Sequence, residues 1–173
     1  MRKDKKLKIR TATMDDLEMI AAVEAECFPA AEAATREEFA KRLQHYSDHF
    51  WLMFEGEKLI AFVDGFVTDE ADLTDEMYEK AELHNEYGAW QMIFGVNTIP
   101  ACRRHGYAGE LICRAIQDAK KQGRKGLVLT CKDRLVPYYA KFGFVNEGVS
   151  DSAHGNVVSV SYTHLRAHET LSD

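Results

Sequence analysis

The sequence predicts an α/β fold: a mixed, twisted sheet of six or seven strands with helices on both faces, in the order β-α-α-β-β-(α)-β-α-β-α-β-β. Three observations predict it. Residues 90–96 form an apolar run ended by Asn97, Thr98, Ile99 and Pro100, and then Leu111, Ile112, Ala115, Ile116 and Ala119 recur at helical spacing. Residues 127–131 are a second short apolar run, so the helix reads as the crossover between two parallel strands. Residues 50–54 and 59–66 flank Glu55-Gly56-Glu57-Lys58, which is a hairpin signal.

The remaining elements follow in order. Residues 6–12 make a first strand, with Leu7, Ile9 and Thr11 on one face. Thr13, with Asp16 three positions on, caps a helix whose period carries Met14, Leu17, Ile20, Ala21 and Glu24. Thr35 and Glu38 form a second capping box, opening a helix through Phe39, Leu43 and Tyr46. Residues 69–75 are an acidic loop, and Thr74 is placed to cap a short helix reaching Leu83. Gly123 ends the long helix inside a basic turn. Gly143 ends another short helix, before a strand over residues 144–149, and Asn156-Val157-Val158 begins the last strand.

A length of 173 residues suits one domain with an adequate core. No apolar run approaches the roughly 20 residues of a membrane helix, and no apolar segment follows the basic first residues, so a cytoplasmic protein without a membrane partner is expected. Cys27, Cys102, Cys113 and Cys131 are scattered without a Cys-x-x-Cys pair, which argues against a zinc site or a disulfide framework. The net charge of −6 makes nucleic acid an unfavourable partner. The charge is unevenly spread. Residues 55–86 are acidic, opposed only by Lys58 and Lys80, while residues 103–125 are basic. That division fits an anionic cofactor and a cationic second substrate, although most charge runs are simply solvated faces.

The turn after the central strand is the candidate anion site. Arg103, Arg104, His105, Gly106, Tyr107, Ala108 and Gly109 lead into the helix N-terminus, where free N–H groups and the helix dipole favour a phosphate. Gly106 and Ala108 are small enough for close backbone approach. Arg103-x-x-Gly106-x-Ala108 resembles the Arg/Gln-x-x-Gly-x-Gly/Ala motif of the GCN5-related N-acetyltransferases (GNAT superfamily). A second stretch, Tyr139-x-x-x-Gly143-Phe144 after a strand and a short helix, resembles that family's second motif. Cys131-x-Asp133-x-Leu135-Val136-Pro137, together with Glu24-Ala-Glu26-Cys-Phe28, is similar to the arylalkylamine (serotonin) N-acetyltransferase branch. The resemblance covers roughly residues 7–158, so the sequence is read as a GNAT N-acetyltransferase domain over residues 1–158.

The resemblance implies acetyl-coenzyme A as co-substrate, with no metal. Phe94, Gly95 and Val96 would offer backbone groups to the pantetheine arm, and residues 103–109 would cradle the pyrophosphate. Tyr139 would be the general acid that protonates the departing thiolate, a task a phenol can perform. The implied reaction is direct attack of a primary amine of a small molecule on the thioester, in a ternary complex. Acetylation of a protein N-terminus or lysine remains open, as does a non-catalytic acetyl-coenzyme A-binding regulator. Monomer and homodimer are both compatible with the sequence.

Three departures from the family pattern stand out. Trp90 and Met92 replace the two histidines that the animal enzymes use to remove the amine proton, and neither can titrate. Glu24 and Glu26, on the helix that the resemblance places beside the amine pocket, are the leading substitutes, with His84 and Glu86 as further candidates. Two extra residues lengthen the turn before Arg103. From Ser159 the chain abandons the family's closing strand, so residues 159–173 are expected to be a non-native or disordered tail. Thr163 onward is then expected to lie exposed and the last strand to be short and weakly paired. His164 and His168 at i, i+4 find no third ligand that would make them a metal site.

Overall fold

A computed structural model describes residues 6–149 and 157–164. The chain forms two compact units, each drawn from two stretches: Met1–Gly65 with Gly95–Ala115, and Phe66–Phe94 with Ile116–Asp173.

In the first unit, β1 (Leu7–Thr11), β2 (Phe50–Glu55), β3 (Lys58–Asp64) and β6 (Gly95–Thr98) form an antiparallel sheet in the order β1-β2-β3-β6. The β2–β3 hairpin turns at Gly56, whose φ of +62° lies in the left-handed region. Helices α1 (Leu17–Cys27) and α2 (Arg36–Tyr46) pack on each other, and α1 also packs on β3 and β6. Both capping boxes form: Thr13 with Asp16, and Thr35 with Glu38, whose reciprocal bonds measure 3.1 and 3.0 Å. The core centres on Phe39, whose ring meets Phe50 and Phe62 edge-on, while Tyr46 stacks on Phe50.

In the second unit the strands are β4 (Val67–Thr68), β5 (Trp90–Ile93), β7 (Gly126–Lys132), β8 (Val145–Val149) and β9 (Val157–Thr163), in the order β4-β5-β7-β9-β8. β5 and β7 are parallel and the other pairs antiparallel. Two short helices belong here, α3 (Asp75–Glu79) and α5 (Val136–Ala140). Helix α4 (Tyr107–Lys121) starts in the first unit and ends in the second.

The nine strands among the described residues reduce to the expected seven when runs broken by one or two residues are joined, β3 with β4 and β5 with β6. The breaks carry the topology. At Phe94 the chain leaves the five-stranded sheet, and at Gly95 it joins the four-stranded one. No described helix is long and apolar enough to cross a membrane.

Three expectations are corrected. Thr74 makes no side-chain capping bond, and its helix stops at Glu79, with a separate 3-10 turn over Ala81–Leu83. The last strand is neither short nor weakly paired. β9 runs to Thr163 between β7 and β8, with Ser161 Oγ donating to Glu147 at 2.7 Å. The reason is local: Val158, Val160 and Tyr162 alternate with Val157, Ser159 and Ser161, which suits a pleated strand whatever the residues' origin. A Cβ at Gly126 would collide with the Tyr162 carbonyl, so glycine there permits the approach. His164 is likewise not exposed as expected. Both its ring nitrogens are buried, and burial lowers its pKa. His168 and the rest of the run to Asp173 lie outside the described residues.

Candidate active site

The residues singled out for the cofactor begin at the strand break. Phe94, Gly95 and Val96 are each partly exposed. Gly95 faces Asp64 across the β3–β6 pair, and a Cβ there would stand 2.8 Å from Asp64 Oδ1. A side chain at 95 would therefore have to displace a buried carboxylate.

Beyond β6 a 3-10 turn over Pro100–Cys102 leads to the basic loop. Arg103 Nε donates to the Thr98 carbonyl at 3.0 Å, and the Cys27 thiol donates to the same oxygen at 3.3 Å. Arg103, Arg104, His105 and Gly106 are exposed, Tyr107 and Ala108 half-buried and Gly109 buried. The chain is left-handed at Arg104 (φ +69°) and at Gly106 (φ +79°). Nothing lies within 4 Å of a Cβ built on Gly106, so its side is open to a ligand. The Gly106 carbonyl accepts from Glu110 N at 3.1 Å and so starts α4. The N–H groups of Tyr107, Ala108 and Gly109 fall in the first turn, where helix geometry supplies no acceptor. With two exposed arginines beside them, they form a ready anion cradle. These residues fit the pyrophosphate of a coenzyme A.

Glu24 and Glu26 part company. Two positions apart on α1, they face opposite sides, and Glu24 is buried while Glu26 is exposed. Glu24 accepts from Ala34 N at 2.9 Å and from Asn97 Nδ2 at 3.0 Å. Burial raises its pKa, opposed by the Ala34 N–H, the Arg42 charge and the Asn97 amide. Nearby, Arg42 Nη1 donates to Asp64 Oδ2 at 3.0 Å, with both side chains buried. Burial pushes the Asp64 carboxyl up to about 6, Arg42 pulling the other way.

In the second unit Tyr139 lies on α5 and is buried, its ring edge-on to Tyr138 at 5.1 Å and to Phe144 at 5.8 Å. Burial raises its phenol above the ordinary tyrosine value, with Tyr138 and Cys131 adding to the rise. Tyr138, the adjacent phenol, is half-buried against Phe142. Burial and Asp133 also push the Cys131 thiol up, which disfavours the thiolate that a nucleophile would need.

His84 and Glu86 are engaged structurally. His84 Nδ1 accepts from Val67 N at 3.0 Å, so in the neutral ring the proton sits on Nε2, 2.9 Å from Glu86 Oε1. Glu86 Oε2 in turn accepts from Arg124 Nη2 at 2.9 Å. Arg124 also donates to the Glu86 carbonyl at 3.0 Å, the Gly88 carbonyl at 2.7 Å and the Gln122 amide at 2.8 Å. The arginine thus ties the loop ahead of β5 to the end of α4. Arg124→Leu is expected to cost about 2–3 kcal/mol, since buried acceptors lose a charged donor. A denaturation midpoint within error of wild type would contradict that role.

Sequence reasoning missed Arg42, Asp64, Asn97 and Arg124. Asp64 lies 22 residues from Arg42, Glu24 73 from Asn97 and Gly88 36 from Arg124, and nothing in local periodicity marks these pairs.

Residues 17–144 match the profile of the acetyltransferase (GNAT) family. The chain belongs to this family. Among curated GNAT relatives, serotonin N-acetyltransferase of Mesocricetus auratus is 33% identical over 92 residues, covering 53% of this chain and 43% of that protein. The match thus spans less than half the length of the relative. Among solved structures, the loading GNATL domain of CurA from Lyngbya majuscula superposes with a TM-score of 0.79 at 18% identity, over 94% of this chain and 99% of that one. The PaiA N-acetyltransferase of Thermoplasma acidophilum, solved with coenzyme A, gives 0.70 at 15% identity, over 92% and 99%. At these identities the two structures share the GNAT fold with this chain.

Proposed function

We propose that the protein is an N-acetyltransferase that moves the acetyl group of acetyl-coenzyme A to a primary amine of a small molecule, by direct attack in a ternary complex. The observation that carries this is the turn of residues 103–109, with its open glycine at φ +79° leading into first-turn N–H groups for which the helix itself supplies no acceptor. Family membership and the partial likeness to serotonin N-acetyltransferase support it.

The roles follow from chemistry. Backbone groups of Phe94, Gly95 and Val96 take the pantetheine arm, and the basic turn takes the pyrophosphate. The amine nitrogen bonds to the thioester carbon, the carbon–sulfur bond breaks and the thiolate leaves with the Tyr139 proton, while the nitrogen's remaining extra proton passes to solvent, from which the Tyr139 phenolate is reprotonated. The amine must first lose a proton. Trp90 and Met92 offer no base, and His84 and Glu86 are tied into the Arg124 lock. Glu24, on the helix that the family resemblance places beside the amine pocket, is the proposed acceptor: its oxygens also accept from Ala34 N and Asn97, but among the described residues no cation pairs with it directly and burial raises its proton affinity. Exposed Glu26 contributes through its field.

A panel of amines and peptides offered with acetyl-coenzyme A, read by free-thiol release, tests the proposal. Small amines should outperform peptides. Release only with peptides would move the acceptor to protein amines, and release with nothing would leave a regulator that binds without turnover. The profile of kcat/KM should rise toward alkaline pH, following the free amine. A plateau already reached by pH 7, surviving Glu24→Gln and Glu26→Gln together, would remove both from the proton path.

A further inference from the structure

We propose that Tyr78, on α3, sets the size of the acyl group the enzyme accepts, by covering the point on their C-terminal side where the parallel strands β5 and β7 stop pairing. This rests on the acetyltransferase reading above. β5 pairs with β7 only as far as Ile93 with Leu129, so Phe94 and Thr130 are the first residues beyond the paired ends. Tyr78 meets both. Its ring lies 4.8 Å from the Phe94 ring, and its hydroxyl shares a hydrogen bond of 3.3 Å with the Thr130 hydroxyl. In open α/β sheets, ligands sit outside the carboxyl ends of parallel strands.

The chemistry narrows which part of the ligand arrives there. Tyr139 follows β7 by a few residues and lies close enough to Cys131, near the C-terminal end of β7, to interact with it electrostatically. A general acid must reach the atom it protonates, so the thioester sulfur belongs beside Tyr139. The acyl carbon is one bond further, and its alkyl tail then meets the side chain covering the strand ends. Helix α3 is only five residues long, and Thr74 gives it no side-chain cap. Such a helix does not hold itself. Buried Met77 and the contacts of Tyr78 fix it in place.

The test compares kcat/KM for acetyl- and butyryl-coenzyme A with one amine. Wild type should prefer acetyl. Tyr78→Ala should shift the ratio toward butyryl by about 10-fold or more, the scale of one or two methylenes in a pocket. Tyr78→Phe keeps the ring and should keep the wild-type ratio. Should Tyr78→Ala fail to fold by circular dichroism, Tyr78→Leu retains an apolar contact with Phe94 and should shift the ratio in the same direction. An unchanged ratio in a folded small-side-chain variant would overturn the proposal, as would a change in amine preference alone. Absence of transfer by wild type from either thioester would overturn the acetyltransferase reading and this inference together.

Discussion

Tyr139→Phe is expected to lower kcat about 100-fold or more with KM little changed, because it keeps the ring and removes the transferable proton. The ring packs against Tyr138 and Phe144, and phenylalanine preserves both contacts. Burial holds the phenol above its ordinary value, so it stays protonated throughout the working range, and no alkaline fall in kcat should trace to it below pH 10. Tyr138→Phe is the control, since that neighbouring ring is only half-buried. Equal losses in both variants would make Tyr139 a packing residue.

Arg42→Met is expected to destabilise the fold by about 3–5 kcal/mol at pH 7, the usual cost of stripping one partner from a buried ion pair. Asp64 would be left in the core with the Glu24 charge as a neighbour. The pH dependence has a definite sign. The Asp64 carboxyl is raised in the folded protein from 3.8 to about 6, mainly by burial. Its contribution to stability is therefore full below the unfolded value and is lost as pH rises from about 4 through 6. Without Arg42 the carboxyl is pushed higher still, so the deficit of the variant should be largest above pH 6 and shrink toward pH 5. Adding Asp64→Leu should recover part of the loss. Urea midpoints across this range decide it, and a deficit that grows on acidification would contradict the assignment.

The order of strands and helices was legible in the sequence because each long element carries its own period and caps. Thr35 with Glu38 announces α2, and the apolar residues of α4 recur at helical spacing. The turn at Gly106 was equally legible, since its arginines and small residues are adjacent in the chain. Local patterns carry no information about partners far along the chain. Glu24 is singled out by family likeness as a candidate base, whereas its hydrogen bond to Asn97, 73 positions away, leaves no mark in the local pattern. For the last strand, family likeness breaks at Ser159 but the strand pattern does not. Val157, Val158, Val160 and Tyr162 pair as a strand regardless. Thr74 was expected to cap, but its φ and ψ of −115° and 159° come without a side-chain bond to the first turn.

Calorimetric titration with acetyl-coenzyme A, on wild type and on Gly106→Glu, tests the central claim most directly. A glutamate at a left-handed position would place both a strained backbone and a negative charge at the anion cradle. The account predicts that wild type binds and that the variant, with a wild-type circular dichroism spectrum, loses affinity by about 100-fold or more, as a like charge facing a pyrophosphate requires. Equal affinity in a folded variant would mean that residues 103–109 do not hold the cofactor.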